Sequence, residues 1–268
     1  MDDKNYNTYC DFHASKCKKC LGQKSLLVGD IFVTCSCQFH ASIKWRFDQI
    51  QIYPESLKFK TWNDFNGIDG AKYIVEASCI LNAKSKAMEY CFGLTDTELT
   101  KNRKKNSVIH KRLSEGRNFI INGETGTGKS LLALLILKEI VLACAIQNRR
   151  IDFVWEKSSK IIDSARWSDQ KSIDYKYLDY ISSVDFLFID DIDLVQTSGN
   201  HRHPPDITSL DNLFLYRLKN KLPTIITCSD RFYNSRERKV QLGNEFSNLI
   251  SQQDNFVVNL KRRNNDSR

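Results

Sequence analysis

The sequence has 268 residues, of which 41% are hydrophobic and 27% are charged; this composition is typical of a globular protein and excludes a disordered or fibrous chain. The length suffices for one large domain, or for one ordinary domain with a small module. Lys and Arg number 40 against 32 Asp and Glu, and the net charge of +8 favours a partner that carries phosphate, such as nucleic acid.

Residues 1–45 are predicted to form a separate cysteine-rich module, because five of the nine cysteines lie between Cys10 and Cys37. The N-terminus has no basic segment followed by an apolar one, so we predict no secretory signal and expect a cytoplasmic protein. Disulfides are rare in that compartment. The clustered cysteines are therefore expected to be metal ligands or buried thiols.

Two close cysteine pairs predict a metal site in this module. A C-x-x-C pair and a C-x-C pair are separated by 14 residues, of which 25–34 are typical of a β-hairpin that would bring the pairs together. Four thiolates so placed can surround Zn²⁺ tetrahedrally, and such a structural zinc leaves no open position for chemistry. The predicted zinc ligands are Cys17, Cys20, Cys35 and Cys37. Three further residues with usable spacing remain alternative ligands, namely Cys10, His13 and His40.

Residues 46–116 are predicted to be a helical linker region. Within it, the run 101–112 contains six Lys or Arg and no acid. Two interpretations stay open for this run: a solvated linker or helix face, or a segment that contacts the phosphates of DNA.

Residues 117–268 alternate predicted strands and helices. The predicted strands are 118–123, 150–155, 184–191, 223–230 and 255–260, with helices at 130–147, 161–183 and 210–220. Near-continuous apolar strands separated by helices predict an α/β fold, in which helices cover both faces of a parallel sheet. The apolar stretch 131–146 is interrupted by Lys138 and Glu139 and falls short of the ~20 apolar residues of a membrane span, so we predict no membrane association.

The first of these strands is followed by a complete phosphate-loop pattern, G-x-x-x-x-G-K-[ST], with a helix after it. Glycines let the backbone wrap closely round an anion, and successive N–H groups point inward. We expect Lys129 to reach the β- and γ-phosphates of ATP, and Ser130 to offer its hydroxyl to Mg²⁺. The residues of the loop are Gly123, Glu124, Thr125, Gly126, Thr127, Gly128, Lys129 and Ser130.

Acids and hydroxyls end the next two central strands, where they would lie beside the phosphate loop. Mg²⁺ needs a carboxylate at this edge, and we assign Asp190 to the metal, through water, and Asp191 to polarising the attacking water. Asp193 is a weaker candidate. Thr227 and Ser229 share one face of the following strand, where a hydroxyl can bond the γ-phosphate or the lytic water, and Ser229 is the predicted catalytic residue.

Three segments, GRNFIINGETGTGKSLLALLI, VDFLFIDDID and NKLPTIITCSD, resemble in order and spacing the AAA+ helicase loaders of the DnaC and DnaI type. They are also similar to the related IstB transposition helper ATPases. The resemblance covers roughly residues 57–260, and a cysteine module before the ATPase domain also resembles DnaI-type loaders. It implies a P-loop AAA+ sheet without a C-terminal lid domain, preceded by a zinc module. It further implies a homo-oligomer that hydrolyses ATP, with a replicative DNA helicase and single-stranded DNA as partners.

The family also implies that an arginine of one subunit contacts ATP in the next. The matching stretch here, 245–250, contains no arginine, so hydrolysis is expected to be slow or to be completed by a partner subunit. The possible substitutes are Arg217, Arg231, Arg236 and Arg238, and either Arg262 or Arg263 fits a second arginine that the family places after the last strand.

Four functions are compatible with these residues. The leading one is a helicase loader, and the second is an IstB-like helper that binds duplex DNA and recruits a transposase. A small-molecule kinase would need an acceptor pocket and a lid that the sequence does not indicate. A nucleotide-gated adaptor with little hydrolysis would explain the missing arginine.

Overall fold

The computed structural model describes residues 8, 10–12, 14–35, 37–38, 41, 45, 60–65, 77–92, 115–146, 152–166, 172–193, 207–234 and 242–262. The chain divides into two compact units, one of residues 1–51 with 140–150 and the other of residues 52–139 with 151–268. The basic run 101–112 lies outside the described residues. The division into domains 1–45, 46–116 and 117–268 stays a prediction.

The described part of the first unit contains the predicted β-hairpin. Strand β1, Ser25–Val28, pairs antiparallel with β2, Ile31–Thr34. A two-residue turn joins them, and its Gly29 takes a left-handed φ of 63°, as hairpin turns of this length require. The N–H of Cys35 bonds the carbonyl of Lys24. The hairpin therefore brings Cys35 of the second pair next to Lys24, which follows the first pair in the sequence.

The second unit is built on a five-stranded parallel sheet in the order β4-β5-β6-β3-β7. Its strands are β3 (Phe119–Gly123), β4 (Phe153–Lys157), β5 (Phe186–Ile192), β6 (Thr224–Cys228) and β7 (Phe256–Leu260). All four neighbouring pairs are parallel, which confirms the predicted sheet. The carboxyl ends of the strands consequently meet at one edge, where β3 leads into the phosphate loop and β5 ends in its acids.

Eight helices are described besides the short helical pieces of the first unit. They are α1 (Trp62–Phe65), α2 (Ala77–Phe92), α3 (Lys129–Ile146), α4 (Ser158–Ser164), α5 (Tyr175–Ser183), α6 (Ile207–Lys219), α7 (Asp230–Asn234) and α8 (Asn244–Ser251). The single helix predicted at 161–183 is wrong, since α4 ends at Ser164 and α5 has its own cap, the carboxylate of Asp174. Within the described ranges, no helix is long and apolar enough to cross a membrane, and none follows β7 before residue 262.

The two faces of the sheet are covered by different side chains. On one face, Ile120, Ile189 and Ile226 belong to a buried cluster that also contains apolar residues of α4, α5, α6 and α8. Elsewhere, Tyr90 of α2 packs edge-on against Phe119, with ring centroids 5.2 Å apart. Burial on both faces explains why the strands are apolar without alternation.

Asn118 joins the beginnings of three strands. Its side-chain amide donates to Gln252 and Asn255, at 3.0 Å each. Its side-chain oxygen accepts the N–H of Thr224 at the start of β6, and its backbone carbonyl accepts the N–H of Phe256 at the start of β7. Every hydrogen-bonding group of this buried side chain is thus used to align β6, β3 and β7.

Arg217 of α6 is the largest fully buried side chain among the described residues, with no exposed surface. Its guanidinium donates to the Thr224 hydroxyl at 3.0 Å and to four carbonyls. The carbonyls belong to Ile181, Ser182, Val184 and Pro223. Burial lowers the pKa of Arg217 to about 9, so the group remains charged at neutral pH. The prediction of Arg217 as a possible substitute arginine finger is therefore wrong, because its guanidinium is fully buried and hydrogen-bonded inside its own subunit.

Candidate functional site

The phosphate loop leads from the end of β3 into the first turn of α3. Gly123 has a φ of 151°, and a Cβ there would come within 2.6 Å of the Leu260 carbonyl oxygen. The hydroxyl of Thr127 donates to the Glu124 carbonyl at 2.8 Å and so closes the loop. Lys129 lies across it, with Nζ 2.9 Å from the carbonyl oxygens of both Gly123 and Glu124. The loop thus places a cation and the N-terminus of a long helix together, an arrangement that binds phosphate.

Asp190 connects the loop to the two strands beside it. Its Oδ1 accepts hydrogen bonds from Ser130 Oγ at 2.8 Å and from Thr227 Oγ1 at 2.7 Å. Burial raises the pKa of Asp190, while the two hydroxyl donors oppose that rise. A buried carboxylate next to a hydroxyl offers the oxygen ligands that Mg²⁺ prefers, so these residues fit the ion.

Asp191 follows in an unusual backbone conformation. Its φ of 60° is left-handed. Its side chain is exposed, whereas that of Asp190 is buried. Asp tolerates this conformation better than most residues do. The two acids predicted from the sequence therefore differ in environment, one buried and hydrogen-bonded, the other open to solvent.

Ser229 contacts a different acid from the one that Thr227 binds. Its hydroxyl donates to Asp193 Oδ1 at 2.8 Å and accepts the N–H of Phe232 at 3.1 Å, as an N-cap of α7 does. Of the two hydroxyls predicted at this strand, Thr227 is the one that contacts Asp190. Sequence reasoning weighed Thr227 but did not select it, and only the register of β5 against β6 distinguishes the two.

Arg262, just after β7, contacts the phosphate loop. Its Nε lies 3.3 Å from Glu124 Oε2, and its Nη2 donates to the Thr125 carbonyl at 3.4 Å. Of the other predicted arginines, Arg231 is exposed on α7. Three lie outside the described residues, namely Arg236, Arg238 and Arg263.

The short segment that contains α1 borders the loop, and the sequence analysis did not identify it. Thr61 and Asp64 form half of a capping box, in which the carboxylate accepts the Thr61 N–H at 2.7 Å and the Thr61 hydroxyl at 2.9 Å. The Trp62 ring N–H donates to Glu139 of α3 at 2.8 Å. Phe65 is buried and reaches Gly128, where an added Cβ would lie 3.6 Å from its ring. The T-x-x-D pattern was the available signal for this small helix.

The four predicted zinc ligands come together in the first unit. The Sγ atoms of Cys17, Cys20, Cys35 and Cys37 all lie within 4.8 Å of one another. Two of these distances are 3.8 Å, between Cys17 and Cys35, and 3.5 Å, between Cys20 and Cys37. Bonds of ~2.3 Å from a tetrahedral zinc separate sulfurs by about 3.8 Å, so the group fits the ion. Cys10 lies outside this group, and His13 and His40 are outside the described residues.

The backbone around the cluster favours a thiolate. The N–H groups of Cys20 and Lys19 bond the sulfur of Cys17 and lower its pKa to about 6, whereas burial raises the pKa of Cys37 to about 12. Thiolates, not thiols, bind metals. One of the four sulfurs is thus readily deprotonated, and binding of a metal would deprotonate the other three.

No model of a known protein family and no curated protein matches the sequence. Among solved structures, the chain is similar to the crystal structure of DnaI, at 15% identity and a TM-score of 0.42, over 67% of this chain and 85% of that one. It is also similar to a putative primosome component from Streptococcus pyogenes serotype M3, at 16% identity and a TM-score of 0.49, over 83% and 96% of the two chains. A third is the DnaC helicase loader, at 22% identity and a TM-score of 0.39, over 60% and 92%.

DnaI and DnaC are the two proteins named in the resemblance that the sequence analysis describes. The predicted α/β fold class is confirmed: a parallel sheet that carries a phosphate loop is flanked by helices, and a four-cysteine cluster precedes it in the sequence. What the neighbours bind or load is a property of those proteins.

Proposed function

We propose that this protein is an AAA+ ATPase that loads a replicative DNA helicase, coupling the binding of ATP and single-stranded DNA to deposition of the helicase. The observation that supports it most directly is the hydrogen bond between Ser130 of the phosphate loop and the buried Asp190, 2.8 Å long. It joins the two groups that P-loop ATPases use to hold a metal beside the phosphates.

The loop backbone, Lys129, Ser130 and Asp190 each have a distinct task in this proposal. Backbone N–H groups of residues 123–130 bind the phosphates, and the ammonium of Lys129 moves from the loop carbonyls to the β- and γ-phosphates. Ser130 uses its proton on Asp190 and so keeps oxygen lone pairs for Mg²⁺. Asp190 would hold a hydrated Mg²⁺, and the bound ion would neutralise charge on the phosphates.

The open carboxylate of Asp191 polarises the attacking water in this proposal. Ser229, oriented by Asp193, offers its hydroxyl to the γ-phosphate. Arg262 supplies positive charge from the same subunit, since its guanidinium already lies against Glu124 and Thr125. A second subunit would supply further charge in a homo-oligomer. Because α8 contains no arginine, slow turnover stimulated by a partner is the expected behaviour.

The four-cysteine module would bind Zn²⁺ and grip the helicase. A zinc held by Cys17, Cys20, Cys35 and Cys37 would be structural, because four thiolates leave no open position. The hairpin above it exposes apolar side chains on β2, which is the kind of surface that protein partners cover.

A second candidate function is a nucleotide-gated adaptor that binds ATP with little hydrolysis. The specific observation in its favour is the absence of arginine from 244–251, together with the burial of Arg217. Neither α8 nor Arg217 therefore supplies an arginine that could contact ATP bound to a neighbouring subunit.

ATP turnover of the purified protein tests these proposals, measured alone, with single-stranded DNA, with duplex DNA and with a replicative helicase. Stimulation by single strand or helicase, reduced about 100-fold or more in Lys129→Ala through loss of phosphate stabilisation, would support the loader. The exposed Lys176→Ala on α5 is the matched control, since it removes the same charge away from the loop.

The other outcomes separate the alternatives. Stimulation only by duplex DNA would favour the IstB-like helper over the loader. ATP binding without turnover in every condition would contradict the ATPase and favour the adaptor.

A further inference from the structure

The pairing register between β5 and β6 shifts by one residue near the carboxyl ends of the two strands. Ile189 pairs with Ile226 and Ile192 pairs with Cys228, so three steps along β5 match two along β6. The two acids between the isoleucines, Asp190 and Asp191, therefore face a single residue of β6, Thr227. Such a bulge leaves one residue without its regular ladder partner and redirects side chains, which is why bulges occur beside active sites.

The Thr227 side chain fills the place of the missing ladder bond. Its Oγ1 accepts the Asp191 N–H at 2.8 Å and donates its own proton to Asp190 Oδ1 at 2.7 Å. A hydroxyl has one proton, so the direction of both bonds is fixed. The hydroxyl joins the backbone of one acid to the carboxylate of the other.

A second hydroxyl group binds the backbone carbonyl of Asp191. Ser158, the first residue of α4, donates to the Asp191 carbonyl at 2.8 Å. The left-handed residue Asp191 is thus held at its N–H by β6 and at its C=O by the segment that follows β4. Such a backbone conformation persists only where the surroundings impose it.

We propose that Thr227 is a positioning residue that directs the Asp191 carboxylate at the attacking water, by holding the Asp191 amide relative to the Asp190 carboxylate. This proposal rests on the proposed ATPase function. Thr227 is only 1% exposed, so it acts through the two acids and not by touching the nucleotide. Ser158 supports the same conformation from the opposite side.

Steady-state ATP hydrolysis by Thr227→Val and Thr227→Ser tests the proposal. Valine keeps the shape and removes both hydrogen bonds, so kcat falls about tenfold or more while the dissociation constant for ATP changes less than about threefold. Serine keeps the hydroxyl and restores kcat to within about threefold of the original. A residue needed only for folding would not separate kcat from binding in this way.

Ser158→Ala provides an independent variant if Thr227→Val does not fold. It lowers kcat by about threefold or more without weakening ATP binding. Where Thr227→Val does fold, the effects of the two substitutions in the double variant are less than additive, because both act on Asp191. Turnover by the original protein with an unchanged kcat in Thr227→Val would overturn the positioning role alone. No turnover by the original protein with any partner would overturn the ATPase function, and the role of Thr227 with it.

Discussion

The guanidinium of Arg217 occupies a place where arginine is seldom found, since charged side chains are almost never fully buried without partners. It binds the carbonyls left open at the end of α5 together with the backbone that leads into β6. The carbonyls of Ile181, Ser182 and Val184 lie at a helix end, where regular secondary structure leaves them without donors, whereas the Pro223 carbonyl also accepts the N–H of Leu187. The side chain thus replaces a set of missing backbone hydrogen bonds.

We expect Arg217→Met to lower the free energy of unfolding by about 3–5 kcal/mol, because methionine keeps the unbranched stem of the side chain but removes the guanidinium and leaves buried acceptors unpaired. Urea titration followed by circular dichroism measures this change. The control Arg231→Met, on the exposed side of α7, should stay within ~0.5 kcal/mol. A loss below about 1 kcal/mol in Arg217→Met would contradict the structural role.

At the scale of elements, the hairpin is unusual because both of its faces reach solvent along β2. Ile31 is 69% exposed and Phe32 is 71% exposed, and Leu27 and Val28 on β1 are also exposed. An isolated two-stranded hairpin is marginally stable. The cysteine cluster at its base therefore has to hold it, and the exposed side chains are available to a partner.

The proposed loader function predicts that the variant Phe32→Ser weakens binding of the replicative helicase at least about tenfold, because large aromatic side chains contribute most to interfaces. Titration calorimetry with the helicase measures the affinity. Thr34→Ser, at an exposed polar position of the same strand, is the matched control and should bind normally. Equal affinity in both variants, with zinc content unchanged, would exclude the hairpin as the contact.

The strands of the sheet were predictable because burial on both faces makes them short apolar runs, as in residues 186–189. The phosphate loop and Asp190 were predictable because their chemistry fixes residue types and spacing. The bulge was not, since the register of β5 depends on which strand lies beside it, and β6 is more than thirty residues away in the sequence. The role of Thr227 follows from that register. Arg217 was misassigned because an arginine in sequence gives no sign of burial.

At the scale of the whole molecule, the two compact units differ in what can stabilise them. The second unit has an extensive apolar core around its sheet, whereas the described part of the first has an exposed hairpin and four cysteines. Small modules without a sufficient core depend on a bound metal. The units should consequently respond differently when the metal is removed.

Removal of zinc by a strong chelator should abolish protection of the hairpin amides against hydrogen exchange while ATP binding remains within about twofold. Folding of a zinc module is coupled to the metal, but the sheet needs none. Exchange followed by mass spectrometry, with fluorescent ATP binding in parallel, makes the measurement. Cys20→Ser should reproduce the effect without chelator, and unchanged protection of residues 25–34 in both would argue against a zinc site.

The position of β7 has a consequence for synthesis of the chain. β3, which leads into the phosphate loop, lies between β6 and β7, and Asn118 binds Asn255 across 137 positions. A ribosome makes these strands in order, so β3 keeps an open edge while all the intervening residues are added. Open edges pair readily with other chains, and contacts between distant residues form slowly. The strand that leads into the nucleotide site therefore keeps an edge open to aggregation until β7 emerges beside it.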